Sequence, residues 1–392
     1  MDANKDQTSI LGNAKPSQAI VKLALPATLA LLAKAVYNIV DTAYIGMLGS
    51  DIALTAVGVT VPLLLIMVSI ENIFAAGAAV LAGRQLGAKD EEGASRTVTT
   101  IIGLSIVIGA LLNVVLDPIF MFDWGLGMGV EGASLATTVS QFVTFFILAW
   151  FYLSGRSVIK LHLGSFRPSW KLIKTVTVIG VPTAVIQICL SVASSLTNIA
   201  AAPLPDADNI IAAYGVVQRL ILIGCYVVMG FMQGYQPVAS YAFGAKQEER
   251  FHQSVRFALK GSLILTVLVA AAYILLSRPL ILLFNQNPVI VDCGRWLLIS
   301  QVALYPAFGL CYMMTITYQT IGASGYGLFL SMIRQGLFYV PFILVLPRLL
   351  GVTGIYLTQP AADLLTILVC LCSIRSMKQI ASANMNRLPE GD

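Results

Sequence analysis

Ten stretches of this 392-residue chain are apolar for long enough to cross a lipid bilayer as helices, a crossing that takes about 20 residues. They run approximately Val21 to Leu48, Ile52 to Arg84, Val98 to Phe122, Val130 to Leu153, Leu172 to Ala201, Ile210 to Tyr241, Ser254 to Ser277, Arg295 to Ile321, Tyr326 to Leu350 and Val352 to Ile374. Short polar pieces separate them. Charged residues make up 11% of the chain and hydrophobic ones 57%, where an ordinary soluble domain carries about a quarter charged. The expected fold class is therefore an all-α polytopic membrane protein.

The few basic residues report orientation. One set of loops and ends holds 18 of them, from Lys5, Lys15 and Lys22 through Arg84, Lys89 and Arg96 to Arg375, Lys378 and Arg387, while the opposite set holds only Arg278, Arg295 and Arg348. Basic residues mark the cytoplasmic side, so both termini are expected there, as an even number of spans requires. The net charge of +5 then reflects topology, and no nucleic-acid partner is expected. The polar first twenty residues lead into a long apolar run that continues into others, so no cleavable signal peptide is expected. Five of the six cysteines (Cys189, Cys225, Cys311, Cys370 and Cys372) fall inside predicted helices and Cys293 at a helix end, a distribution with no disulfide or metal spacing.

A charged loop is written twice: Leu-Gly-Ala-Lys-Asp-Glu-Glu-Gly at 86–93 reappears as Phe-Gly-Ala-Lys-Gln-Glu-Glu-Arg at 243–250, 157 positions later. At the same offset Leu54-Thr-Ala-Val-Gly-Val aligns with Ile211-Ala-Ala-Tyr-Gly-Val, and Pro26 aligns with Pro182 at 156. The chain reads as two related halves that begin on the same side of the membrane, a parallel repeat. A second anchor, Gly129-Val-Glu-Gly and Gly351-Val-Thr-Gly, has an offset of 222, so 65 residues present in the second half are missing from the first. That is one pair of helices: four spans against six. The expected organisation is a cytoplasmic segment 1–20, a four-span lobe 21–154, a basic linker 155–171, a six-span lobe 172–377 and a cytoplasmic tail 378–392.

Ionisable residues inside a membrane are costly and face the bundle interior or a wet cavity. Lys34, Asn38 and Asp41 share one stripe of the first span. Lys34 and Glu71 lie at similar depth on adjacent helices and read as a structural ion pair, whereas Asp41 has no obvious basic partner and reads as a proton or sodium site. Asn113 and Asp117 stand four apart on one face of the third span. With a hydroxyl such as Thr137 they offer the oxygen ligands that a hard cation prefers, although Asp117 reads equally as a helix-end cap. Arg334 and Asp363 sit at comparable depth on neighbouring spans and are expected to neutralise each other. Arg219 beside Gln218 is expected to line a cavity. Asn38, Glu71, Asn198, Gln218, Arg219, Met229 and Tyr312 are the substrate-cavity candidates, while most of the methionines and aromatics nearby read as packing. Pro26, Pro62, Pro182, Pro237, Pro306 and Pro341 mark expected kinks.

Other chemistry is disfavoured. Gly127-Met-Gly-Val-Glu-Gly fits the dinucleotide fingerprint as a string, but no βαβ unit surrounds it. His162 and His252 lie in loops far from any buried nucleophile, and no phosphate-cradling Gly-x-x-x-x-Gly-Lys loop occurs. The chain is read as neither an enzyme nor an ATP-driven pump, which leaves an ion gradient as its energy source.

The residues resemble the multidrug and toxic compound extrusion (MATE) family over about 18–378. The resemblance rests on Leu25-Pro-Ala, Asn38-Ile-Val-Asp-Thr, Gly83-Arg-Gln-Leu-Gly, Asn113-Val-Val-Leu-Asp-Pro, Gly132-Ala-Ser-Leu-Ala-Thr, Gly234-Tyr-Gln-Pro-Val, Phe243-Gly-Ala-Lys, Arg334-Gln-Gly and the stretch Pro347 to Asp363. It implies two lobes around a central cavity with alternating access. It also implies export of amphipathic or cationic drug-like compounds in exchange for H+ or Na+, without a cofactor, by a monomer in a bacterial cytoplasmic membrane. The family's first-lobe cation site maps onto Asp41, Asn113, Asp117 and Thr137. The family has twelve helices, and the absent pair, its third and fourth, belongs between about Arg96 and Ile101. A lipid-linked oligosaccharide flippase of the same superfamily and a truncated, inactive member are the alternatives.

Overall fold

The computed structural model describes residues 11–12, 14–47, 73, 75–101 and 169–387; for 33, 34 and 36–47 it describes the backbone only. Every regular element among these residues is helical. From the first half come α1 (Pro16–Met47) and the stretches α2 (75–87) and α3 (91–101). From the second come α4 (Trp170–Ala201), α5 (Ala207–Gly244), α6 (Glu248–Leu275), α7 (Ser277–Leu282), α8 (Pro288–Val302), α9 (Pro306–Thr320), α10 (Ser324–Met332), α11 (Tyr339–Leu350) and α12 (Val352–Asn386). Among the described residues α4, α5, α6, α12 and the continuous run Ser324–Leu350 are each long and apolar enough to span a membrane, and α8 with α9, bent by 44°, makes a sixth span if counted as one. The predicted span Val130 to Leu153 and most of Val98 to Phe122, of the linker and of Ile52 to Arg84 lie outside the described residues.

The differences from the sequence reading have local causes. α12 runs on to Asn386 instead of ending near Ile374, because Met377, Ala381 and Met385 are buried on one face. Two polar contacts fasten that extension: Asn384 Nδ2 donates to the Ile321 carbonyl at 2.9 Å and the Ser382 hydroxyl to Glu248 at 2.6 Å. Cys293 sits inside α8 rather than at a helix end. Pro26, Pro182 and Pro237 lie within unbroken helices, and the sharp bend falls at Pro306. Pro341 has no N–H for the carbonyl of Leu337, and the backbone just before it widens into a π-turn, Ile333–Phe338.

The repeated loop has one geometry in both copies. Lys89 (φ 63°) and Lys246 (φ 55°) each take the left-handed conformation. Around them Lys89 N–H reaches the Leu86 carbonyl and Asp90 N–H the Gln85 carbonyl, while Lys246 N–H reaches the Phe243 carbonyl and Gln247 N–H the Ala242 carbonyl. These are matching Schellman ends that satisfy the last carbonyls of α2 and α5. Asp90 then opens α3 by accepting the Gly93 N–H at 2.7 Å.

The two turns meet. A Cβ at Gly87 would lie 2.1 Å from the Tyr241 carbonyl oxygen, and one at Gly244 would lie 2.0 Å from the Arg84 carbonyl oxygen. Gly87 and Gly244 are repeat mates at offset 157, as are Arg84 and Tyr241, so the contact is reciprocal, as at a two-fold axis. Gly83 and its own mate Ser240 face each other directly, with a Cβ on Gly83 falling 2.7 Å from that of Ser240. Flanking this crossing, each half lends its first helix to the other half's second. α1 packs along α5 with Ala24 and Thr28 against Gly234 and Gly230, and α4 packs on the second-helix region with Gly180 against Ile73 and Val176 against Gly77. Gly230-Phe-Met-Gln-Gly234 is a Gly-x-x-x-Gly face, which lets helix backbones approach closely where lipid provides no hydrophobic drive between helices.

Adding one methyl group tests this packing. Gly234→Ala puts a carbon 2.4 Å from the Ala24 backbone nitrogen and is expected to cost about 1–3 kcal/mol. Gly215→Ala on the same helix meets nothing within 4 Å and is expected to gain about 0.5–1 kcal/mol. Thermal unfolding of the two variants in detergent should move in opposite directions.

Candidate functional site

The π-turn just before Pro341 carries Arg334 and Gln335 inward, where both are buried. Across from them α12 presents Gln359 and Asp363, four residues apart and so on one face. Arg334 Nε donates to Asp363 Oδ1 at 2.7 Å and Nη2 to Oδ2 at 3.2 Å, a two-pronged ion pair with the carboxylate fully buried. Gln335 Nε2 donates to Gln359 Oε1 at 3.2 Å, and Gln359 Nε2 donates to Asp363 Oδ1 at 2.8 Å. The guanidinium also lies over the Phe308 ring, 5.3 Å from its centre, and Phe308 continues into a column with Tyr305 at 5.5 Å and Tyr312 at 5.7 Å. Each group limits the freedom of the next. The result is a net-neutral centre with spare donors and acceptors.

Two small cavities flank it. One is largely apolar, lined by Ile186, Leu190, Phe308, Cys311 and Tyr312 beside Arg334. The other is mixed, with Tyr214, Gln218, Gln301, Tyr305, Tyr339 and Gln359 set among Leu190, Ala193, Ile221 and Cys225 beside the same arginine. Its polar wall is already ordered: Gln218 donates to the Tyr214 hydroxyl, and the Thr197 and Tyr339 hydroxyls meet at 2.8 Å.

The candidates from sequence divide accordingly. Arg334 and Asp363 are paired, Gln218 and Tyr312 line the cavities, and Met229 is half-buried against the core. Arg219 is exposed and lines neither cavity. Successive helix residues point about 100° apart, so with Gln218 turned inward Arg219 is turned away. Asn198 is likewise exposed. Glu71, Asn113, Asp117 and Thr137 lie outside the described residues, as do the side chains of Lys34, Asn38 and Asp41, although α1 carries all three on its backbone. Among the described residues no three His, Cys, Asp or Glu side chains come together to hold a metal. The sequence reading missed Gln335, Gln359, Tyr339 and Thr197. The available signal was the spacing of Gln359 to Asp363 on one helix face and the proline placed just beyond Arg334.

Comparison with known proteins agrees with the repeat. A family model described as MatE matches residues 26–163 and 182–345. The multidrug export protein MepA of Staphylococcus aureus is 21% identical over 442 aligned positions, covering 95% of this chain and 97% of that protein. Since 95% of 392 residues is about 372, about 70 of those 442 positions face a gap in this chain. A solved structure described as the outward-facing conformation of a multidrug resistance MATE family transporter of the MOP superfamily superposes with a TM-score of 0.82 at 21% identity, covering 96% of this chain and 98% of that one. A MOP superfamily transporter from Pyrococcus furiosus, described as having a binding pocket of reverse polarity that suggests a different function, superposes at 0.81 with 20% identity, covering 95% of this chain and 98% of that one.

A double-mutant cycle measures what the buried pair contributes. Arg334→Met leaves an unpaired buried carboxylate and is expected to cost about 3–5 kcal/mol, whereas Arg334→Met with Asp363→Leu is expected to recover most of that loss. Thermal unfolding of the two single variants and the double variant checks it.

Proposed function

Because the chain belongs to the MatE family, we propose that it is a secondary active exporter of amphipathic or cationic organic compounds, driven by exchange for H+ or Na+. The observation that carries this reading is the match of one family model to two stretches of the chain, 26–163 and 182–345, one in each half. The naming of the relative MepA as a multidrug export protein supports the cargo class. The apolar helices support placement in a membrane, with the basic loops assigning both termini to the cytoplasm.

Coupling is assigned to Asp41, Asn113, Asp117 and Thr137. A buried carboxylate that takes up a cation from outside loses its charge, and the free-energy difference between its two states biases the arrangement of the lobes. The described residues assist in a different way. The Arg334–Asp363 pair is neutral, so the second lobe offers hydrogen bonding and ring faces without a strong field of either sign, which suits varied amphipathic cargo. A flippase for anionic lipid-linked sugars would be better served by an unneutralised basic wall.

One observation favours a second reading, a shortened member that does not transport: the gap of about 70 aligned positions against MepA. Ethidium efflux from energised vesicles separates the two. The exporter reading expects efflux by the native chain and its loss in Asp41→Asn. Efflux only after a homologous hairpin is restored between Arg96 and Thr97 would establish the shortened, inactive form. Absence of efflux from both would remove the multidrug assignment.

A further inference from the structure

At the crossing of α2 and α5, the backbone contact is reciprocal and the side-chain contact is not. Arg84, from the first half, reaches across the seam and donates from Nη2 to the carbonyl of Gln319, in the last turn of α9. Its guanidinium lies over the Phe243 ring, 5.5 Å from the centre. The repeat mate of Arg84 is Tyr241, whose hydroxyl packs beside Gly12. Arg84 therefore ties the first half to the second here, while Arg250 of the second half donates to the Leu11 carbonyl of the first. A cation at a helix C-terminus is favoured by the helix dipole and by the unpaired final carbonyls, and the ring adds a cation–π contact. No carboxylate among the described residues pairs with Arg84.

The same seam holds polar groups that closure leaves unmatched. Arg84 Nε, the Ser240 hydroxyl, Gln319 Oε1 and the Thr320 hydroxyl are buried with no hydrogen-bond partner among the described residues. Buried polar atoms of this kind are rare because each loses its hydration. Parting the two halves at this end would return at least the Arg84 and Ser240 groups, which lie on the contact itself, to water. Closure is thus opposed by these groups and held by the Arg84 tie and the glycine-lined backbone contact.

We infer that Arg84 is a positioning residue of the transport cycle, a latch that sets how much of the population is closed at the end carrying the two Gly-Ala-Lys turns. Removing it shifts the population toward the state open at that end. The role in a cycle rests on the exporter reading; the latch itself does not.

Hydrogen–deuterium exchange of the full chain in lipid nanodiscs reads the seam directly. In Arg84→Ala, exchange should rise several-fold in peptides covering 84–92 and 317–324, with α12 around Asp363 unchanged. Arg84→Lys should restore part of the protection. Phe243→Leu, which keeps the charge and its hydrogen bond, should give a smaller rise in the same peptides. Unchanged seam exchange in these variants, or a rise shared equally by α12, overturns the latch. If Arg84→Ala does not fold, Phe243→Leu decides by the same criteria. Ethidium efflux supplies the second arm: a larger open population should lower KM and the maximal rate together, because more molecules can load cargo and closing becomes harder. A lower rate with KM unchanged marks a merely structural residue and also overturns the proposal. A native chain that moves no ethidium, while its seam still loosens in Arg84→Ala, removes the exporter reading and leaves the latch standing.

Discussion

The approach of Gly87 to the Tyr241 carbonyl, mirrored by Gly244 against the Arg84 carbonyl, fixes how the two halves of this chain can sit. Neither position has room for a side chain, so the two backbones define the crossing. Everything arranged along α2 and α5 takes its register from it: the paired Schellman turns just beyond, the Gly83 and Ser240 contact one turn back, and the exchange of first helices on either side. A membrane interior supplies no hydrophobic drive for helix association, which makes close backbone approach the principal attraction available. The charged loop is written twice because each copy ends a second helix at this crossing and must turn away at once.

The seam between the halves and the interior of the second lobe are built on opposite principles. Inside the lobe Asp363 accepts from Arg334 and Gln359, and Gln359 accepts from Gln335, so each buried polar group has a partner. A satisfied network of this kind resists change. At the seam Arg84 Nε and the Ser240 hydroxyl have no hydrogen-bond partner among the described residues, and the Arg84 tie across it ends on a backbone carbonyl rather than a carboxylate. A fully paired network inside the second lobe and a costly seam would concentrate motion at the boundary, as the proposed alternating access requires.

Different parts of this architecture were legible to different degrees. Hydropathy located the helices of the second half, and the offset of 157 revealed the repeat, because both depend on long-range regularities of composition. The Arg334 and Asp363 partnership followed from depth alone. The orientation of Arg219 did not, since one position along a helix turns a residue through about 100° and span boundaries from hydropathy are looser than that. The π-turn was hidden for a related reason. Pro341 signalled an irregularity, but whether the chain bends, breaks as at Pro306, or continues as at Pro237 depends on the packing around it. The Gly-x-x-x-Gly face at Gly230 and Gly234 was present in the sequence, and only its partners Ala24 and Thr28 gave it meaning.

The seam also bears on the missing stretch. Its contacts come from the first and second helices of each half and from the last turn of α9, all of which the chain retains. The repeat arithmetic places the absent pair after 96, and α3 continues as helix from 91 to 101, with Thr97 and Ile101 buried and Ile101 packed near Val176 of α4. A join inside that helix leaves the crossing of α2 and α5 untouched and keeps downstream spans on their original sides, because two spans are lost together. What the loss removes is lateral: wall and packing of the first lobe, not the axis about which the halves meet. On the proposed export reading, a chain shortened in this way keeps its crossing, and a loss of function would fall on the first lobe's hold on cargo or ion.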